Sequence, residues 1–197
     1  MKKFIFLIIL LVTGSVIFAQ TSKRTSAYNY LRNGKLDKAK EYIDPTITNE
    51  KTMGDAKTWF YHGNIYLQIA ISDVPEYKAL DPNALEVAHK SYVKCRELDD
   101  RGEFTADIEN NMRVIAAKFY DQGVIYYNAE NFTGAAKSFA KAYEINREVS
   151  INDTTALYNA AIAAQIGQEY EMSIGYYNQL IEMGFNKPQI YNSLSEI

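Results

Sequence analysis

Cysteine is nearly absent: Cys95 is the single one in 197 residues. That excludes a disulfide framework within the chain and a Cys-cluster metal site. Proline is scarce, at 4 residues, and glycine stands at 10, so the chain is neither collagen-like nor a low-complexity linker. Basic charge is not in excess. The 21 Lys and Arg face 24 Asp and Glu, a formal net charge of −3. That balance argues against a general nucleic-acid binder, which normally carries a basic face. Histidine is limited to His62 and His89, without the HExxH-type spacing of a zinc site. No G-x-S-x-G, P-loop or Rossmann glycine pattern occurs, and no carboxylate pair is marked out as a hydrolytic dyad. No cofactor is implied, and a non-enzymatic role is expected. Strand-like alternation of apolar and polar residues is missing as well.

What is present is apolar content of 47%, enough for a single domain that buries about 70% of its unfolded surface. The chain opens on Met1-Lys2-Lys3, followed by an apolar run from Phe4 to Val12 and then Val16-Ile17-Phe18-Ala19-Gln20. A charged start, an apolar segment and a small residue at the cut site make a signal peptide over residues 1–19, cleaved after Ala19. From Phe4 to Ala19 is 16 residues, short of the ~20 that span a bilayer as a helix. No cysteine follows the apolar segment to take a lipid. Cleavage removes Lys2 and Lys3 and no acid, leaving 19 basic and 24 acidic residues. Cys95 would travel unpaired, as a small buried apolar residue.

A repeat decides the fold class. Trp59-x-x-His62-Gly63-x-x-Tyr66 and Phe119-x-x-Gln122-Gly123-x-x-Tyr126 share one spacing. The second copy continues to Ala135-x-x-x-Phe139-x-x-Ala142, and the first to Ala88-x-x-x-Tyr92-x-x-Cys95. A third copy runs Leu157-x-x-Ala160-Ala161-x-x-Ala164, then Ser173-x-x-x-Tyr177-x-x-Leu180, and a fourth uses Tyr30, Gly34, Leu36, Ala39 and Ile43. Gly63 and Gly123 stand in helix-favouring stretches, where Gly costs about 1 kcal/mol relative to Ala. Close helix approach explains that cost, with Ala39, Ala88 and Ala135 as the small partners from each second helix. Asp55, Asp81-Pro82 and Asn152-Asp153 are helix starts, and Asn33-Gly34, Asn131 and Gly167 mark turns. The fold class is all-α.

This pattern resembles the tetratricopeptide repeat (TPR) over nearly all of residues 20–197. The resemblance implies an α-solenoid of antiparallel helix pairs, with repeats 20–55, 56–99, 116–149 and 154–187 and a partial one at 188–197. His62 and Gln122 stand where that family has Leu, and Ala161 where it has Gly. The 188–197 segment repeats the first-helix pattern and then stops at Ile197. Its Leu194 and Ile197 give little of the polar outer face that a terminal unit needs, which suggests a fragment of a longer array. Between Tyr66 and Ala88 the chain uses 22 residues where the regular repeat uses 9, an insertion placed at 72–83 and expected at the rim of a groove. Residues Asp99 to Asn111 break the period again. Their acids lack the oxygen spacing of a calcium loop and read as a solvated turn with acids opening the next helix.

TPR arrays line a concave surface with the first helix of each pair. Carried over, the resemblance assigns protein binding to Phe60, Asn64, Tyr120, Val124, Tyr127, Tyr158, Asn159 and Ile162. That set is aromatic and amide-bearing and nearly free of charge, which suits a peptide backbone better than a terminal carboxylate. The signal is similar to those of Bacteroidetes-type bacteria, and Asp153-Thr154-Thr155 resembles their short O-glycosylation motif. The expectation is an exported protein-interaction scaffold in the periplasm or at the outer membrane. Its partner is a protein or peptide, not nucleic acid, and it meets the membrane only through its signal peptide or that partner. The alternative is a structural subunit of an envelope or secretion complex, docking by its convex face or by an uncleaved anchor.

Overall fold

The computed structural model describes residues 22–197, and every regular element among them is helical. The expected signal peptide lies outside the described residues. Helix α1 covers 22–32 and α2 Leu36–Ile43, followed by a 3-10 turn at Asp44–Thr46. Next come α3 (Ala56–Ile71), α4 (Pro75–Lys78), α5 (Ala84–Leu98) and α6 (Thr105–Asn128). The remainder is α7 (Phe132–Glu148), α8 (Thr154–Ile166), α9 (Tyr170–Glu182) and α10 (Pro188–Glu196). Contacts divide the chain into two compact units, one up to Ile108 and one from Glu109.

Side chains start the helices where the sequence places starts. Asp55 accepts from the Lys57 amide at 2.9 Å to open α3, and Asp153 from the Ala156 amide at 3.0 Å to open α8. Asn131 caps α7 through the Gly134 amide at 3.0 Å. Asp81-Pro82 falls two residues short of the helix it was expected to start. Asp81 Oδ1 accepts from the Asn83 amide at 2.8 Å and shapes the turn, while α5 begins at Ala84. Turn α1–α2 uses Gly34 at φ +68°, but the matching residue between α8 and α9 is Gln168 (φ +60°), with Gly167 as an ordinary C-cap.

In the first unit α3 and α5 run antiparallel. The Cys95 thiol donates to the Ala56 carbonyl at 3.1 Å, and the Tyr92 phenol donates to Asn64 Oδ1 at 2.7 Å. Between these contacts Gly63 lies flat against the Tyr92 ring, with Ala88 buried beside them. Ile43 of α2 and Ile65 and Ile69 of α3 are fully buried, each contributing about 1.5–3 kcal/mol by transfer from water. The 72–83 insertion is structured locally. Ser72 Oγ accepts from the Val74 amide at 3.1 Å, Pro75 opens α4, and no residue of α4 is buried.

The acidic interruption is mostly helix. Asp99 accepts from the amides of Glu103 (3.0 Å) and Phe104 (2.8 Å), which closes a turn, and α6 then starts at Thr105. Ile108, Met112 and Ile115 are buried at spacings of four and three, the signature of one helical face. Regular repeat spacing left residues 105–111 outside any repeat, whereas they extend α6 towards its N-terminus.

In the second unit Gly123 of α6 meets the ring of Phe139 on α7. Ala135, Ala136 and Ala140 of α7 pack with Ala160, Ala163 and Ala164 of α8 in a seam of small side chains. The α8–α9 pair is tied by the Ser173 hydroxyl, which donates to the Ala161 carbonyl at 3.0 Å. Tyr177, Leu180 and Ile190 join Leu157 and Ala161 in the neighbouring cluster. Leu194 and Ile197 pack, partly buried, against that cluster. Gln189, Asn192, Ser195 and Glu196 occupy the exposed side of α10.

Candidate functional site

A cleft of about 250 Å³ opens in the second unit, lined by Val124, Tyr127, Phe139, Asn159 and Ile162. Val124 and Tyr127 are three residues apart on α6, and Asn159 and Ile162 three apart on α8, so each helix sets its pair on one face. Phe139 reaches the cleft from α7. Asn159 Nδ2–H donates to the Tyr120 hydroxyl at 2.7 Å, which fixes the amide. The Tyr120 ring meets Phe139 edge-on at 5.0 Å, and Tyr127 meets Phe132 edge-on at 5.3 Å. Walls of this kind offer apolar area and one oriented amide, with no carboxylate or ammonium. A charged group entering would lose hydration without a counter-charge, so the cleft favours neutral, partly apolar occupants. Tyr120 also lines a second, polar cleft of about 340 Å³ with Arg113, Asp121, Asn146, Asp153 and Thr155.

Of the residues assigned from sequence, Val124, Tyr127, Asn159 and Ile162 line one cleft, and Tyr120 orients Asn159. Tyr158 does not join them. Its ring lies 6.3 Å from that of Tyr177 and 6.0 Å from that of Phe185, with the Lys187 ammonium 5.8 Å above it. Phe60 and Asn64 belong to the first unit, where Phe60 stacks on Phe104 at 4.5 Å and Asn64 accepts from Tyr92. Phe139 entered the sequence reading only as a repeat position. Its ring both covers Gly123 and lines the cleft, a double duty invisible in the spacing.

A polar network in the first unit also escaped the sequence. His62, which stands where the repeat family has Leu, is buried with Nδ1 2.7 Å from Ser91 Oγ and Nε2 3.6 Å from Asp44 Oδ1. Asp44 further accepts from Lys40 Nζ at 2.8 Å and from the Tyr66 hydroxyl at 3.1 Å. Burial alone would raise the Asp44 carboxyl, but hydrogen bonds from His62 and Lys40 outweigh it and hold the group below its ordinary range. Burial likewise opposes the Lys40 charge, and its bonds to Asp44 and Tyr66 raise the ammonium above its ordinary value all the same. Ser, His and Asp thus meet, yet the Ser91 hydroxyl is 1% exposed and donates to the Val87 carbonyl at 2.6 Å. A hydroxyl so enclosed and committed is a structural group, since a nucleophile needs access to its substrate. Cys95 is equally enclosed, its thiol pushed up to about 12 by burial and by the charge of Asp99.

No protein-family model matches the chain, and no curated protein matches it. Among the described residues, no three His, Cys, Asp or Glu gather to hold a metal ion. None of the helices described is long and apolar enough to cross a membrane.

Proposed function

We propose that this chain is an exported interaction scaffold of tetratricopeptide type, binding a protein or peptide segment in the second unit's cleft. The observation that carries it is the convergence of Val124, Tyr127, Asn159 and Ile162 on one cleft. Support for the repeat type comes from Gly63 against Tyr92 and Gly123 against Phe139, two pairs at matching repeat positions. Binding needs no chemistry beyond the preformed surface: an apolar side chain fills the cavity while Asn159 hydrogen-bonds a backbone amide. Export, and a place in the periplasm or at the outer membrane, rest on residues 1–19.

A structural subunit docking by another face is the second reading. Ile166, Tyr170 and Ile174 favour it, being 44%, 46% and 37% exposed at spacings of four around the α8–α9 turn. A crosslinking pull-down from the cell envelope separates the two. Capture lost with Val124→Glu plus Ile162→Glu, and kept with Ile174→Glu, supports the cleft; the reverse pattern supports the outer stripe. Capture that survives both changes excludes each surface.

A further inference from the structure

Charge is segregated in the first unit. Helices α1 (22–32) and α3 (Ala56–Ile71) contain Lys23, Arg24, Arg32 and Lys57 and no Asp or Glu, in a chain whose net charge is −3. Arg24 is committed, its guanidinium paired with Asp55 and bonded to Thr58 Oγ1. Arg32 and Lys57 are exposed, and among the described residues neither has a carboxylate partner. Each rests on a tyrosine instead. Arg32 Cζ lies 5.9 Å from the ring centre of Tyr28, and Lys57 Nζ lies 5.7 Å from that of Tyr61. The two rings stack on each other at 4.6 Å and 13°, leaving no room for a cation between them. Arg32 and Lys57 therefore bracket the stack from its outer faces.

We propose that this α1/α3 face is a docking surface for an acidic peptide segment of a partner protein. Its carboxylates pair with Arg32 and Lys57, and its aliphatic stems lie along the edges of Tyr28 and Tyr61. The surface stands in a different unit from the cleft and does not rest on the reading of that cleft. Both faces of both rings are taken, by each other and by the cations, so neither a nucleobase nor a sugar ring finds a free aromatic face. The basic residues other than Arg24 number fewer than the roughly four to eight that mark anionic-lipid binding. They also fall short of the about six to ten phosphate contacts of a duplex binder. Carboxylates on a flexible peptide are the anions that so few cations suit.

The test is fluorescence anisotropy on the full chain with a labelled glutamate–serine peptide, at low and high salt. Binding is expected at low salt and should weaken on adding salt. Arg32→Gln with Lys57→Gln should reduce affinity about tenfold with unchanged far-UV circular dichroism, whereas Lys38→Gln, at a lysine paired with Glu41, should leave it intact. No binding overturns the proposal, as does equal binding of a glutamine–serine peptide or full affinity in the double variant. Tighter binding of single-stranded DNA or phosphatidylserine vesicles through the same two residues also overturns it, in favour of a phosphate surface.

Discussion

A β-carbon on Gly63 would sit 2.7 Å from Cε1 of Tyr92, a ring with no exposed surface whose hydroxyl is anchored on Asn64. Gly123 stands in the same relation to Phe139, at 2.6 Å. Gly63→Ala and Gly123→Ala should each destabilise by about 1–3 kcal/mol through overpacking, although Ala favours helix by about 1 kcal/mol. Gly175 in α9 has open space around the same point, and Gly175→Ala should stabilise by roughly 0.5–1 kcal/mol. Urea denaturation of the three variants checks the contrast. Stabilisation by Gly63→Ala would remove the close-packing account of the repeat glycines.

Cys95 should be inert towards thiol reagents in the folded chain at mildly alkaline pH and should react at once in urea. Its folded value is raised to about 12 from an ordinary 9.0. The stability tied to the neutral thiol is therefore complete below pH 9.0 and lost as pH rises towards the folded value. Labelling kinetics with and without denaturant measure this. Fast labelling of the native chain would contradict the burial.

The Asp44 network sets an acid limb. Its folded carboxyl lies below the ordinary 3.8, so its contribution is complete above pH 3.8 and lost as pH falls through the lower folded value. Lys40 works at the other end: raised above 10.5, it holds its contribution below that pH and loses it only on further alkalinisation. Asp44→Asn should lower stability at neutral pH and flatten the acid limb of a urea-midpoint titration. An unchanged limb would assign acid sensitivity to other carboxylates.

Glu130 and Gln168 adopt φ of +59° and +60° after α6 and α8, in the left-handed region that favours glycine. Glu130→Gly and Gln168→Gly should raise stability by about 0.5–1 kcal/mol, unlike the same change at a helical surface position, which lowers it. Thermal melts distinguish the two signs.

The all-α class and most helix starts were legible because they depend on neighbours in sequence. Asp55 and Asp153 bond amides two and three residues on, and such reach shows in a linear pattern. Val124, Tyr127, Asn159 and Ile162, which the resemblance assigned to binding, line one cleft from two helices. The repeat spacing failed where the ruler itself failed: the Ile108-Met112-Ile115 stripe was written in the chain, but the expected repeat started at residue 116. Tyr158 lies outside that cleft, its ring beside Phe185, a neighbour that no repeat rule places. The Asp44–His62–Ser91 network spans 18 and 29 residues between partners, and the facing of Arg32 and Lys57 depends on how Tyr28 meets Tyr61.

The seam between α7 and α8 is built from Ala135, Ala136, Ala140, Ala160, Ala163 and Ala164. In an ordinary core the damaging variants are truncations, which leave cavities. At these six alanines, which pack beside the large buried ring of Phe139, almost no side-chain atoms remain to delete, so there the vulnerability runs the other way. Valine or a larger side chain must force two helix backbones apart, whereas exchange to serine or glycine changes the side chain by a single heavy atom. Natural variation along this seam is therefore expected to be bounded from above in volume, and a record of tolerated substitutions should show small residues exchanged only among themselves.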